Sequence, residues 1–279
     1  MNSEITQEQI DFYQENGFVV IDNFLDADEL ETWRANVDDA VAKRRDLKLV
    51  SQGKDSREWK AGNSYYDRVF VQRINLWQDH DGMRELILDP RIGKMATELA
   101  QVDGMRIWHD QALNKQPWAN PTGWHLDNPY WSYHSRAALS IWVALDDATL
   151  QNGCLYFVPG SHKVTSFENS KIGENLGDLF EIYPELNGIM PVPAEMKAGS
   201  CSFHNGLAAH GAGPNMTPGW RRAMTCGFMP DGSTFNGTKN ILSDEQIGKL
   251  EIGDVMDDDK QNPLLYHRSK PSLATALKD

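Results

Sequence analysis

The chain has 279 residues, 40% hydrophobic and 24% charged, the balance of a globular protein with a sizeable core in one large domain or two ordinary ones. A formal charge of −13 weighs against nucleic acid and against an anionic membrane surface as partners, since both select clustered Lys and Arg. Cys154, Cys201 and Cys226 are widely spaced without a CxxC, so they read as small core hydrophobes and not as a disulfide framework.

The opening stretch ITQEQIDFYQENG is polar, with no basic segment leading into an apolar one. No apolar run in the chain is long enough for a bilayer, so a cytoplasmic protein is expected. Thr6 followed by Gln9 is a capping-box pattern, and Gly17 ends the short helix it opens. Residues 18–25 (FVVIDNFL) read as a strand. Asp26 opens a second helix to about Lys48, with Leu30, Trp33, Val37 and Val41 on one face. Residues 80–101 read as helical with a boundary near Pro90, so 1–103 is mostly helical decoration.

From Gly104 the texture changes to short β-like runs, at 105–115, 136–148, 153–163, 199–211 and 221–230, whose spacing suits an antiparallel double sheet. This core, 104–230, contains a lid-like insertion at 165–197. Residues 231–279 form an extension with a helix at 243–250 and an acidic run, Asp257 to Asp259, read as solvated surface. No repeat or linker divides the chain, so 1–279 is expected to be a single domain.

The chemistry starts in GWHLDNPYW, where His125 and Asp127 stand two apart. A chain with eight histidines and this many aspartates yields such a pair about once by chance. HNGLAAHGAGPN offers a third ligand in His210, with His204 close by. Two His and one carboxylate on neighbouring strands can occupy one face of an octahedron and leave three positions open, which suits non-haem iron(II). A closed zinc site favours four ligands and draws on Cys, and there is no H-E-x-x-H helix. Arg221 follows His210 by eleven residues. Its guanidinium can fork onto the far carboxylate of a cosubstrate whose keto-acid end chelates the metal. That register favours His210 as the ligand and leaves His204 as a neighbour of the centre or a substrate contact. Arg221, not Arg222, is expected to point inward, because adjacent strand residues face opposite ways. Tyr130, Trp131 and Tyr133 either line a substrate cavity or cap the barrel rim. Asn75, Trp77 and His109 are further candidates for the cavity.

GWHLDNPYW, NGCLYFVPGSHK, HNGLAAHGAGPN with GWRRA, and the opening ITQEQIDFYQENGFVVIDNFL resemble the phytanoyl-CoA dioxygenase family of Fe(II)/2-oxoglutarate-dependent oxygenases, over residues 5–230. The resemblance implies a mainly β fold with flanking helices around a double-stranded β-helix, a jelly-roll (cupin-like) core. It implies iron(II) held by His125, Asp127 and His210. It also implies 2-oxoglutarate bound by Arg221, with Trp142 packed beside it, Gln111 near it and Arg73 as a second basic contact. With O2, such an enzyme hydroxylates or otherwise oxidises a small-molecule substrate and releases succinate and CO2. Halogenating relatives lack the carboxylate, so Asp127 implies hydroxylation or another O2-driven oxidation. Two positions depart from the family pattern: Leu126 stands where Gln is frequent, and Ala212 where Ser is common. Two other readings are a cupin-like metalloenzyme that does not use 2-oxoglutarate and a non-catalytic jelly-roll ligand-binding module. Arg221 counts against the first and the intact triad against the second. The acidic balance points to a free small metabolite over an acyl-CoA ester.

Overall fold

The structure, a computed structural model, describes residues 1–44, 65–168, 170 and 172–270. Local signals set the first elements. Thr6 and Gln9 form a reciprocal capping box on α1 (Gln7–Asn16), and Gly17 ends it in the left-handed conformation at φ 80°. A side chain at Gly17 would also run into the ring of His162, which sits against this turn. β1 (Phe18–Ile21) is shorter than the 18–25 run because Asn23 takes a left-handed turn (φ 53°). α2 (Ala27–Lys43) opens on an Asp26–Glu29 capping box and buries Trp33, Val37 and Ala40. Its expected continuation to Lys48 lies outside the described residues.

β2 (Val71–Ile74) was not anticipated. The 80–101 helix is two: α3 (Asp81–Ile87) and α4 (Pro90–Ala100), broken where Asp89 caps the second and Pro90 begins it. The core then follows as β3 (Gly104–Asn114), β4 (Thr122–His125), β5 (Leu139–Ala144), β6 (Leu155–Phe157), α5 (Asp178–Ile182), β7 (Val192–Ala194), β8 (Cys201–Asn205), β9 (His210–Ala212) and β10 (Ala223–Pro230). α6 (Asp244–Ile247) and β11 (Leu264–His267) complete the order. The missed strands β2, β4, β7 and β11 are three or four residues long, too short to show a period of two.

The strands form two antiparallel sheets that make the jelly-roll core. A seven-stranded sheet runs β1-β8-β5-β10-β3-β11, with β2 also on β3, and a four-stranded sheet runs β4-β9-β6-β7. Alternation assigns the faces of the larger sheet. Leu139, Ile141 and Val143 of β5, with Cys201 and Phe203 of β8 and Met224, Cys226 and Phe228 of β10, face the helices and meet Trp33, Val37, Ile92 and Leu99. Trp142 and Ala144 of β5 and Ala223 of β10 face the smaller sheet and meet Leu155, Phe157 and Ala212. The expected 199–211 strand is divided by a turn that carries the chain from the larger sheet to the smaller one, so His204 and His210 lie on different sheets.

β3 changes parity part-way along. Gly227 of β10 pairs with His109 and Phe228 with Ile107, so Trp108 is an extra residue, a β-bulge. Before it, Met105 and Ile107 face the helices. After it, His109, Gln111 and Leu113 face the interior between the sheets.

The 165–197 insertion packs on the core through several of its described residues. Its Leu179, Tyr183 and Leu186 are buried against Leu126, Val158 and Leu207. β7, also within it, pairs with β6. In the extension, α6 is shorter than the expected 243–250 helix. Asp259 of the acidic run is not merely solvated, because it pairs with Arg106 at 2.6 Å. Among the described residues, no helix is long and apolar enough to cross a membrane.

Leu126 therefore points away from its two polar neighbours, into the apolar cluster under the insertion, and is 2% exposed. Truncation should leave a cavity there. Leu126→Ala is expected to lower stability by about 2–4 kcal/mol in urea unfolding. A loss below about 1 kcal/mol would contradict this packing.

Candidate active site

β4 and β9 pair with Thr122 opposite Ala212 and His125 opposite His210. Three residues of advance on β4 match two on β9, and this irregularity turns both Thr122 and His125 to the same interior side. The two imidazole centroids lie 4.2 Å apart. Each Nδ1 faces a carbonyl: His125 donates to Gly123 O at 2.9 Å and His210 to Ala208 O at 3.0 Å. A carbonyl only accepts, so Nδ1 carries the proton and the neutral ring presents a bare Nε2. Burial lowers the pKa of both histidines, which keeps them neutral.

Both Nε2 atoms lie 3.7 Å from Asp127 Oδ1, and one donor atom from each of the three residues lies within 4.8 Å of the others. Asp127 stands where β4 gives way to the 3₁₀ turn Asn128–Tyr130. Its second oxygen, Oδ2, accepts from Ser140 Oγ at 2.8 Å and from His204 Nε2 at 3.2 Å. Burial alone would raise the Asp127 carboxyl, yet His210, the His204 hydrogen bond and His125 together hold it well below the usual carboxylate range. The donor set is thus two neutral imidazoles and an ionised carboxylate with one oxygen turned toward them, which fits iron(II) with open positions. His204 is engaged through Nε2 on the far carboxylate oxygen, so of the two candidate histidines His210 is the one grouped with His125.

Arg221 is 2% exposed and pairs through its backbone with Lys115 at the end of β3. Its guanidinium carbon sits 5.0 Å from the Trp142 ring centroid, one Nη donates to Leu113 O at 3.3 Å, and Nε has no partner. Among the described residues, no carboxylate lies within ion-pair distance of it. Burial brings its pKa down to about 10, so it remains a cation at neutral pH. Lys115 beside it is pushed down to about 6 by burial and by Arg221, which leaves the arginine as the local charge. A buried, unpaired guanidinium is costly, and an anionic ligand removes that cost. The neighbouring Arg222 points the other way, to Asp146 and Asp38 at 2.8 and 2.7 Å.

One cavity of about 470 Å³ is lined by His125, Asp127, His210 and Arg221 together. Trp142, Gln111, Tyr130, Trp131, His204 and His109 also line it, as does Ala212. Other expected residues do not. Arg73 alternates with Gln72 and Ile74 on β2, so it faces outward and donates to Arg44 O and Gln72 O, while Gln72 takes the interior place and bonds Gln111. Asn75 bends the chain after β2 in a left-handed turn (φ 57°), which keeps it off the cavity wall. Tyr133 is wholly buried and donates to Phe228 O at 3.0 Å, so it belongs to the core beneath Trp131. Trp77 is likewise core.

The structure adds residues that gave no sequence signal. Ser140 is one of many serines until the two sheets meet. Tyr66, Phe70 and Thr225 join the cavity wall, Ile172 reaches it from the insertion, and Asn240 and Ile241 reach it from the C-terminal extension.

The model of the family described as phytanoyl-CoA dioxygenase (PhyH) matches residues 13–223. The peroxisomal phytanoyl-CoA dioxygenase of Mus musculus is 27% identical, over 81% of this chain and 69% of the mouse protein. Among solved structures, the non-haem alpha-ketoglutarate-dependent carbocyclase SnoK from nogalamycin biosynthesis has 25% identity and a TM-score of 0.76, covering 94% of this chain and 97% of its own. The epimerase SnoN from the same biosynthesis has 27% identity and a TM-score of 0.70, covering 93% and 98%.

Ser140 touches the candidate ligand set through Asp127. Ser140→Ala is therefore expected to weaken metal binding by roughly 10–100-fold in equilibrium dialysis with Zn(II). Unchanged affinity would show that His204 alone suffices to orient the carboxylate.

Proposed function

The chain belongs to the phytanoyl-CoA dioxygenase family, and on that premise we propose that His125, Asp127 and His210 hold its iron(II) and that Arg221 holds 2-oxoglutarate. The protein is an iron- and 2-oxoglutarate-dependent dioxygenase acting on a small molecule. The observation that supports the residue assignment best is Arg221, a buried cation without a counter-ion among the described residues, on the wall of the same cavity as the triad.

Bound iron(II) supplies the redox chemistry by which O2 oxidises 2-oxoglutarate to succinate and CO2 and, with it, a substrate C–H bond. The protein's own part is positional. The carbonyls of Gly123 and Ala208 fix which nitrogen each histidine presents. Ser140 and His204 hold the Asp127 carboxylate from behind, so that Oδ1 stays turned toward the histidines. Arg221, laid over the Trp142 ring, offers a planar fork matched to a carboxylate at the far end of the cavity, and so selects a dicarboxylate cosubstrate. Tyr130 and Trp131 flank the ligands, and Tyr130 also bonds Ser170 O of the insertion, closing that side against water. The retained Asp127 carboxylate supports hydroxylation over halogenation.

The test is anaerobic titration with Fe(II) and 2-oxoglutarate, followed by succinate measurement on admitting O2. A visible charge-transfer band and succinate release are expected. Asp127→Ala should lose hydroxylation. Arg221→Ala should keep metal binding and raise the 2-oxoglutarate requirement roughly a hundredfold. Wild-type behaviour in either variant would move the site elsewhere.

A further inference from the structure

The cavity has a second end, and its chemistry differs from the first. β3 presents Leu113, Gln111 and His109 to the interior in turn, each step about 7 Å along the strand. Leu113 lies at the Arg221 end, and Gln111 is level with Thr225. His109 is level with Gly227, where an added Cβ would meet both the His109 ring and Trp131. The Trp131 ring stands edge-on to His109 at 5.8 Å.

This end is closed by the C-terminal extension. Asn236 Nδ2 donates to Trp131 O at 3.0 Å, and Ser132 Oγ donates to Lys239 O at 3.0 Å. Those bonds carry Asn240 and Ile241 onto the cavity wall. Asn240 holds a left-handed backbone (φ 40°), and its Oδ1 is buried without a hydrogen-bond partner. Nδ1 of His109 is also buried without a partner. Buried polar atoms are rarely left unpaired unless something outside the chain completes them. The cavity walls include the rings of Tyr66, Phe70, Tyr130 and Trp131 and the apolar Ile172 and Ile241 alongside the uncharged Gln111 and Thr225, and among the described residues lining the cavity Arg221 is the only Lys or Arg.

We propose that the His109–Asn240 end binds an uncharged, hydroxyl-bearing ring system, and that this is the substrate class of the enzyme. The inference rests on the cavity being the oxygenase site. A hydroxyl donates to an amide oxygen, and a hydroxyl donates to or accepts from a neutral imidazole according to its tautomer, so hydroxyl groups suit each of the two unpaired atoms. A carboxylate or phosphate finds no cation there. Trp131 offers the ring a flat apolar partner of matching shape.

Calorimetry on the full chain loaded with Zn(II) and 2-oxoglutarate tests this with four probes: 2-naphthol, 2-methylnaphthalene, 2-naphthoate and acetyl-CoA. The expected result is at least tenfold tighter binding of 2-naphthol than of the other three. Asn240→Gly, which keeps the left-handed turn and removes the amide, should cut that preference severalfold, and His109→Phe should do the same. Four results overturn the proposal: equal binding of 2-methylnaphthalene, tighter binding of 2-naphthoate or acetyl-CoA, a preference that survives both substitutions, or no binding by any probe. Titration of 2-oxoglutarate into the Zn(II)-loaded wild type reports separately on the Arg221 end. Failure there with the 2-naphthol preference intact would count against the iron and 2-oxoglutarate assignment, not against this one.

Discussion

The carboxylate of Asp127 is where the two sheets of this protein are tied together. One oxygen is held by Ser140 on β5 and His204 on β8, both in the seven-stranded sheet. The other faces His125 on β4 and His210 on β9, both in the four-stranded sheet. A buried carboxylate is tolerated only when both oxygens are satisfied. Here the larger sheet satisfies one, while the other faces two bare imidazole nitrogens, an all-acceptor arrangement that only a shared cation satisfies. The centre is therefore a property of how the sheets pack, and its alignment depends on the core around Trp142, Phe157 and Ala212 that sets their separation.

Two irregularities decide which side chains reach that centre. The extra residue at Trp108 converts β3 from a strand whose odd positions serve the helices to one whose odd positions serve the cavity. The irregularity in β4 lets Thr122 and His125, three apart, share one face. A regular strand would have buried His109 among the helices or turned His125 outward. Both irregularities act beside the site, where bulges re-aim side chains at a small local cost in pairing.

The cavity they create is polar at His125, Asp127 and His210, cationic at Arg221 and neutral at His109 and Asn240. Its two late-arriving walls come from segments outside the jelly-roll strands. Ile172 belongs to an insertion pinned by Leu179, Tyr183 and Leu186, and Asn240 belongs to an extension pinned to Trp131 and Ser132. Both walls are thus carried by buried contacts among the described residues.

Much of the candidate centre was legible before folding. His125, Asp127, His210 and Arg221 are chemically rare in combination, and their spacing named them. The helix caps at Thr6 and Asp26 and the break at Pro90 were equally local, because capping involves atoms only three residues apart. Leu126 was read only as a departure where Gln is frequent, and that says nothing of which way a residue between two candidate ligands faces. The structure buries it under the insertion. Arg73, Asn75 and Tyr133 were expected at the site and are elsewhere, while Gln72, Ser140 and Asn240 are present without having signalled it. The reason is physical. The sequence by itself determined the kinds of ligands and the ends of helices, which depend on chemistry and short-range geometry. Which face of a strand meets the cavity depends on bulges and on sheet pairing between residues as far apart as Asp127 and His204, and only the tertiary structure decided that.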